Sequence, residues 1–211
     1  MNIVVLDPFD IDRLGFCTFI QSHSSYNLLF DTSSSDDLVS FIASNTKQVD
    51  VCFLEVDLQA SISGINLLKQ LKHDFPGIKF CFHTFMEEDR SLYIQKAAFV
   101  YGATAFVSKT SSTFKLHSIL QALHEGHSHN FFFNTQIENI PLLNKDNIET
   151  IKMLCTPLFE KEIAHKYDIP YKTLIGRKER VMKKLGLFSR PALIAFAFSN
   201  FLITREGTSF F

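Results

Sequence analysis

Strand-like segments alternate with helix-like segments over the first 125 residues, and this alternation restricts the fold more than any other feature. Each strand-like segment is a short apolar run, and a stretch with helical spacing of its apolar residues follows it. The runs lie at residues 3–7, 26–30, 51–56, 78–85 and 104–109. Because repeated strand–helix units place their strands in parallel, the sequence predicts an α/β fold at residues 1–125, a doubly wound (βα)5 parallel sheet with helices on both faces.

Several of the predicted strands end on a polar side chain. Asp7 ends the first strand, Glu55 the third and Lys109 the fifth, and Thr84 lies near the end of the fourth. A carboxylate in such a place is either a chemical group or only the point where the chain meets water. Ligand sites in parallel sheets lie beyond the carboxyl ends of the strands, so we expect these side chains to converge at one edge.

The second half of the chain differs in pattern and in charge. Residues 126–143 lack a helical period and are interpreted as a linker, and helical patterns follow at 145–155, 159–166, 171–185 and 191–204. Residues 1–143 contain 9 basic and 15 acidic residues, but residues 144–211 contain 12 basic and 7 acidic ones. We therefore predict a separate all-α domain of four helices at residues 144–211, which faces a polyanion.

Three segments resemble those of response regulators of the NarL/FixJ type, in which a receiver domain precedes a LuxR-type helix-turn-helix. They are FEKEIAHKYDIPYKTLIGRKERVMKKLGL in the second half, and GINLLKQLKHDFPGIKF and GATAFVSK in the first. The resemblance extends over nearly the whole chain, and in character the chain is similar to the Rcs and fimbrial regulators of enteric bacteria. It implies a receiver-like domain, a linker and a helix-turn-helix domain at the boundaries above.

The resemblance also shows where the receiver chemistry is altered. In such receivers two adjacent acids and an aspartate hold Mg²⁺, and the aspartate accepts a phosphoryl group. Here Asp7 is kept, but Pro8 replaces the adjacent acid and Glu55 stands at the acceptor position. Pro8 has no ligand atom and glutamate is longer than aspartate by a methylene. We therefore expect a degenerate site without metal, cofactor or phosphoryl group, and no enzymatic activity.

Two hypotheses explain a glutamate at the acceptor position. In one, its carboxylate reaches Lys109 and holds the domain in an active-like state, as a built-in imitation of the phosphoryl charge. In the other, Glu55 and Lys109 form a structural ion pair without a signalling role. Thr84 and Lys109 are kept at the positions that contact phosphate in the family, whereas Phe106 replaces the switch tyrosine of many relatives.

The third helix of the second half is the expected recognition helix of the helix-turn-helix. Lys172 and Thr173 lie in its first turn and suit contacts with phosphates or base edges. Ile175, Gly176 and Glu179 stand at positions that often face base edges in the family. The other basic residues of this helix are expected to bind phosphates, although a basic run can also be only a solvated face: Arg177, Lys178, Arg180, Lys183 and Lys184.

The leading hypothesis is a transcription regulator that binds double-stranded DNA and whose receiver-like domain no longer uses phosphate. Its output would then depend on its abundance, its dimer partner or a ligand. The alternative is a protein–protein adaptor that sequesters a related regulator and binds DNA weakly, which Glu179 in the basic helix and Pro170 at its start favour. The apolar fourth helix, PALIAFAFSNFLI, predicts a homodimer or a heterodimer with a related regulator.

Some remaining features have a functional and a structural explanation. His124, His127 and His129 suit Zn²⁺, but a solvated cationic helix end explains them as well. The segment NFFFN at 130–134 is either a surface for a partner or a linker packed on a domain. The four cysteines lack CxxC spacing and are expected to be free thiols. The sequence has neither a signal peptide nor an apolar run of membrane-spanning length, so we expect a cytoplasmic protein.

Overall fold

Two compact units make up the chain in the computed structural model, which describes residues 1–60, 62–86, 91–126, 135–200 and 202–203. The first unit consists of the described residues within Met1–Asp89 and Ala97–Thr135. The second consists of those within Arg90–Lys96 and Gln136–Phe211. Each unit has a hydrophobic core of its own.

A five-stranded parallel sheet forms the centre of the first unit. Its strands are β1 (Asn2–Leu6), β2 (Asn27–Thr32), β3 (Val51–Leu54), β4 (Lys79–Thr84) and β5 (Ala103–Ser108). They stand in the order β2-β1-β3-β4-β5, which confirms the predicted parallel sheet. The direction of the connections reverses between β1 and β3, and in sheets of this kind the ligand crevice opens at that point. Asp7 and Glu55 follow these two strands directly.

Among the described residues of the first half of the chain, five helices connect or follow the strands. They are α1 (Asp10–Gln21), α2 (Ser35–Asn45), α3 (Gly64–Asp74), α4 (Leu92–Val100) and α5 (Thr113–His124). Ser34, Ser63 and Ser112 each accept a backbone N–H at a helix start, as good N-caps do. One core cluster joins α1 and α5 to the sheet through Phe16, Ile20, Leu116, Leu120, Ile3 and Phe53.

The second unit is helical, as predicted. A short 3-10 helix (Thr135–Asn139) precedes α6 (Lys145–Leu154), α7 (Glu160–Lys166), α8 (Tyr171–Leu185) and α9 (Arg190–Ser199). The fourth predicted helix extended to residue 204, whereas α9 ends at Ser199. Each of the helices α6 to α9 contributes buried apolar side chains to one core, which includes Ile151, Leu154, Ile163, Leu174, Val181 and Leu193.

Arg190 fixes the start of α9 on the loop between α6 and α7. Its guanidinium donates hydrogen bonds to the carbonyl oxygens of Leu154 at 2.8 Å, Thr156 at 2.7 Å and Leu158 at 2.9 Å. These carbonyls lie at or after the end of α6 and have no helical partner there, so a charged donor is well suited to them. Arg190 therefore has a structural role within the second unit.

Candidate functional site

Four polar side chains meet at the carboxyl ends of neighbouring strands, and we call Asp7, Glu55, Thr84 and Lys109 the strand-edge cluster. The Lys109 ammonium lies 2.6 Å from Oδ2 of Asp7 and 2.9 Å from Oε2 of Glu55. The Thr84 hydroxyl donates a hydrogen bond to Oε1 of Glu55. The three charged side chains are only 1–4% exposed, so these contacts lie in a region from which water is largely excluded.

The backbone of the sheet holds this cluster in place. The N–H of Glu55 donates to the carbonyl oxygen of Leu6 at 3.0 Å, and the N–H of Lys109 donates to that of Thr84 at 2.7 Å. Oε1 of Glu55 also accepts the N–H of Val56 at 2.6 Å. The carboxylates and the ammonium are thus positioned by strand pairing and not only by their mutual attraction.

Burial changes the acid–base behaviour of the two carboxyl groups. Desolvation raises the pKa of Glu55, and the nearby Lys109 ammonium opposes that change. Desolvation likewise raises the pKa of Asp7, against the effect of its contact with Lys109. Two carboxylates share a single ammonium, so the ionised cluster has an excess of negative charge that keeps protonation of a carboxyl comparatively favourable.

Two aromatic rings lie over the strand-edge cluster, and the sequence interpretation missed both. The Lys109 ammonium is 4.2 Å from the ring centroid of Phe85 and 5.0 Å from that of Phe9. The two rings meet edge to face with their centroids 5.2 Å apart. Each follows a polar residue of the predicted edge closely in sequence. A search for aromatic residues within two positions of the polar residues at the strand ends would have found them.

Gly64 is a second residue that the sequence interpretation missed. A Cβ atom built on Gly64 would lie 2.0 Å from the carbonyl oxygen of Glu55, so any side chain there would displace backbone. The N–H of Gly64 donates to the carbonyl oxygen of Val56 at 2.9 Å. The start of α3 therefore packs directly on the segment that positions the Glu55 carboxylate.

The other two residues predicted for the altered receiver site lie apart from the charged contacts. Pro8 is half-buried between Asp7 and Phe9 and offers no ligand atom. Phe106 is 1% exposed on β5, with its ring centroid 5.8 Å from that of Phe82. Phe106 is thus a core residue of the first unit.

In the second unit, α8 displays most of its basic side chains to solvent. Leu174, Val181 and Met182 are buried and fix the helix on the core. Other positions of the helix are exposed. We call its exposed cations the α8 basic face: Lys172, Arg180, Lys183 and Lys184. Thr173 and Glu179 are also exposed, whereas Ile175, Gly176 and Arg177 are half-buried.

One of the basic residues predicted to bind phosphates has a protein partner instead. The Lys178 ammonium lies 2.5 Å from Oε1 of Glu160 on α7, and the side chains are 22% and 25% exposed. The Lys184 ammonium also approaches Oδ1 of Asn147 on α6, at 3.4 Å. The sequence does not reveal the Lys178 pair, because the partners are 18 residues apart and meet only through the packing of α7 on α8.

The exposed face of α9 includes fewer apolar side chains than the sequence of the helix indicates. Leu193 and Ala197 are fully buried in the core of the second unit. Leu193 is therefore not available to a second copy. The exposed face includes Ala195 and Phe198, the latter 44% exposed.

Several predicted features lie outside the described residues or show no site. His127, His129 and the NFFFN segment are outside the described part of the chain. Within that part, no group of three or more His, Cys, Asp or Glu side chains is arranged to hold a metal ion. All four cysteines are free thiols. Among the described helices, none combines the length and apolar character that a membrane crossing requires.

The chain is similar to transcriptional regulators over nearly its whole length, although no family model matches it. It is 25% identical to the fimbriae Z protein of Salmonella typhimurium, over 96% of this chain and 98% of that protein. It is 23% identical to the oxygen regulatory protein NreC of Staphylococcus carnosus, over 96% and 99%. These relatives confirm the resemblance to NarL/FixJ-type response regulators, which are not enzymes.

Solved structures with the same fold are also known. One is RcsB from Salmonella enterica serovar Typhimurium bound to the promoter P1flhDC in the presence of a phosphomimetic beryllofluoride; it has a TM-score of 0.70 and 22% identity, over 94% of this chain and 98% of that one. Another is an RcsB–DNA complex with a TM-score of 0.69 and 22% identity, over the same shares. At these identities the likeness establishes the fold, a receiver followed by a helical domain.

Proposed function

We propose, from a chain that resembles NarL/FixJ-type response regulators over nearly its whole length, that this protein is a cytoplasmic transcription regulator that binds double-stranded DNA through α8. The observation that supports this most directly is the α8 basic face. Its four cations are exposed on one helix whose opposite side is buried in a helical core. A helix of this kind fits the major groove and finds phosphates on both sides of it.

The positions along α8 suit different contacts. Lys172 and Thr173 lie exposed in the first turn, where side chains of a recognition helix reach phosphates and base edges. Ile175 presents an apolar branched side chain that fits the methyl group of thymine. Lys183 and the other cations of the basic face neutralise phosphates, which strengthens binding to all sequences and does not select one. RcsB, one of the structural neighbours, has been solved on DNA.

The receiver-like unit, in this proposal, acts without phosphorylation. Both oxygens of the Glu55 carboxylate are engaged, one by the Thr84 hydroxyl and one by the Lys109 ammonium. These are the two groups that the family resemblance assigns to the phosphate. Glu55 thus holds the contacts of a phosphorylated acceptor with its own charge, which supports the built-in imitation over a structural pair.

We further propose that the active species is a dimer, either of two copies or with a related regulator. RcsB is described as dimers on DNA in one of the similar structures. Two recognition helices related by a two-fold axis read two half-sites, which raises affinity and sequence selectivity together. The exposed face of α9, with Ala195 and Phe198, is an apolar surface of the second unit that such a contact would use.

The salt dependence of DNA binding tests the proposed function. The full chain is used to enrich duplexes from a random library, and affinity is then measured by fluorescence anisotropy at several salt concentrations. The logarithm of the affinity should fall with the logarithm of salt, with a slope of about −0.9 for each neutralised phosphate. Lys183→Ala should reduce the slope by about one unit, whereas Lys145→Ala on α6, which removes the same charge, should not. The absence of salt-dependent binding by the folded chain contradicts the proposal.

A phosphoryl donor tests the receiver part separately. Acetyl phosphate or beryllofluoride with Mg²⁺ should change neither the sedimentation nor the DNA affinity of the full chain, and intact-mass spectra should show no adduct. Glu55→Gln keeps the shape but removes the charge that Lys109 contacts. It should weaken DNA binding while the circular dichroism spectrum stays native. A stable phosphoryl adduct, or a Glu55→Gln variant with unchanged DNA binding, contradicts the imitation.

One observation favours the adaptor as a second candidate. Glu179 is exposed on α8 at the helical spacing that places it beside Lys172 and Lys183 on the same side. A carboxylate there repels phosphates. If Glu179→Gln converts a chain that does not bind DNA into one that does, the adaptor explains the native protein better.

A further inference from the structure

We infer that Lys109 is the resident cation of the strand-edge cluster, and that its ammonium takes the place of the divalent ion that such clusters hold in receivers. This inference rests on the proposed phosphorylation-independent receiver and gives it a cause. A receiver needs a metal ion to bring phosphate against carboxylates, and here the Lys109 ammonium lies between the two carboxylates that would hold it.

The Lys109 ammonium lies between the two carboxylates of the strand-edge cluster. Its distances of 2.6 Å to Asp7 and 2.9 Å to Glu55 are those of close ion pairs. All three side chains are nearly inaccessible to water. A lone charge is very unfavourable in such a place, so the carboxylates and the ammonium hold each other, and removal of one leaves the others uncompensated.

The remaining carboxylate oxygens of Asp7 and Glu55 are also occupied. Oδ1 of Asp7 accepts the N–H of Phe9 at 3.0 Å. Oε1 of Glu55 accepts the N–H of Val56 and the hydroxyl of Thr84. Each of the four oxygens therefore has a partner within the chain, and a metal ion would have to displace a hydrogen bond or the ammonium to reach any of them.

Two aromatic rings lie next to the Lys109 ammonium. The faces of aromatic rings attract cations, and both Phe85 and Phe9 lie within the distance at which this attraction operates. Phe85 is 48% exposed and so covers the cluster from the solvent side. The rings favour an ammonium with a hydrocarbon stem and offer nothing to a hydrated metal ion, which needs oxygen ligands.

Mg²⁺ does not fit this arrangement. It requires near-octahedral oxygen coordination at about 2.0–2.1 Å and gives up its waters reluctantly. Pro8 supplies no oxygen from its side chain, and the engaged oxygens of Asp7 and Glu55 leave no open position. A divalent ion between the two carboxylates would also lie against the Lys109 ammonium, which repels it in a poorly screened environment.

Removal of the ammonium tests the inference with the metal ions themselves as probes. The full chain and its Lys109→Met variant are titrated with Mg²⁺ and with Ca²⁺, which accepts less regular coordination. Thermal unfolding is followed by fluorimetry. We expect the wild-type melting temperature not to respond. Lys109→Met should melt at a lower temperature than the wild type without metal and rise saturably with at least one of the two ions.

A matched lysine separates this effect from a general change of charge. Lys47 is exposed after the end of α2, so Lys47→Met makes the same charge change away from the cluster and should melt like the wild type with or without metal. Lys109→Gln, which keeps polarity and approximate length, replaces Lys109→Met if the latter does not fold. Saturable binding of either ion by the wild type overturns the inference, as does a folded Lys109 variant that ignores both ions. The wild-type titration decides if neither variant folds.

The two proposals fail in distinguishable ways. Metal binding by the wild type would contradict the inference that Lys109 takes the place of the metal ion. Salt-dependent binding of α8 to DNA would be unaffected. Loss of DNA binding would overturn the proposed function, while the metal titration of the strand-edge cluster would give the same result.

Discussion

Lys178 on α8 and Glu160 on α7 form an ion pair at 2.5 Å that joins the two helices. Both side chains are largely shielded from solvent. Lys178 belongs to the group of basic residues expected to bind phosphates, but its ammonium is already bound to a carboxylate of the protein. We therefore treat Lys178 as a residue that positions α8 and not as a phosphate contact.

Lys178→Gln should lower the free energy of unfolding by about 1 kcal/mol, since the pair is partly exposed and salt screens it. The salt slope of DNA binding should stay that of the wild type. Glu160→Gln should have the same effect on stability, and the double variant should lose little more than either single one, because the two changes remove one interaction. Urea unfolding and anisotropy measure the two effects. If Lys178→Gln reduces the salt slope as much as Lys183→Ala does, Lys178 contacts a phosphate after all.

Gly176 and Gly186 should respond to alanine in opposite ways. Gly176 lies within α8, and a Cβ atom there meets nothing within 4 Å, so Gly176→Ala should stabilise the chain by about 1 kcal/mol. It should nevertheless weaken DNA binding, because the added methyl group stands where α8 would approach a base edge. Gly186 ends α8 with φ +66°, so Gly186→Ala should destabilise by about 1 kcal/mol. If Gly176→Ala binds DNA with unchanged affinity, α8 does not approach a base edge closely at this position.

On α9, Leu193 lies on the buried side of the helix and Phe198 on its exposed side, so substitutions at the two positions should have different effects. Leu193→Glu places a carboxylate in a fully buried position and should destabilise the second unit by more than about 3 kcal/mol. Phe198→Glu changes a half-exposed side chain and should cost about 1 kcal/mol or less. If the outer face joins two copies, sedimentation should show weaker association of the folded Phe198→Glu chain. A dimer that is equally stable with Phe198→Glu places the contact elsewhere.

His83 should make stability depend on pH. Burial, and secondarily the Lys109 ammonium, lowers its pKa from about 6.5 to about 3, so the folded chain keeps the imidazole neutral. The unfolded chain binds a proton as the pH falls below about 6.5, and stability is therefore lost on acidification between these values. His83→Phe removes the titration. The wild type should lose up to about 1.4 kcal/mol more per pH unit than the variant, as measured by urea unfolding. Parallel profiles of the two proteins would contradict this assignment.

The convergence of Asp7, Glu55, Thr84 and Lys109 could be predicted because parallel strands bring their carboxyl ends to one edge. Strand ends can be located from short apolar runs, and the strand order needs to be known only approximately. The order of strands and helices and the resemblance to response regulators were predicted for a related reason. Both depend on local sequence patterns. Each pattern is longer than the few residues by which its predicted ends can be wrong.

The features that escaped prediction depend on packing between distant segments. Phe9 and Phe85 meet only when the loops after β1 and β4 fold over Lys109. Lys178 finds Glu160 only through the angle between α7 and α8. Leu193 lies in a helix that is apolar on nearly every side, so its sequence cannot show which side is buried. Each of these contacts can be identified only from the tertiary structure, because the same spacing of residues along the sequence is compatible with several packing arrangements.

If Glu55 imitates the phosphoryl charge, as proposed, its carboxylate between Thr84 and Lys109 has a consequence for the duration of the response. A phosphoryl group is a record of a past stimulus, and it must be added and later hydrolysed. A charge that belongs to the polypeptide is present from the moment of folding and cannot be erased. A regulator of this kind keeps no memory of earlier conditions, and we expect its response to rise and fall with its own synthesis and degradation.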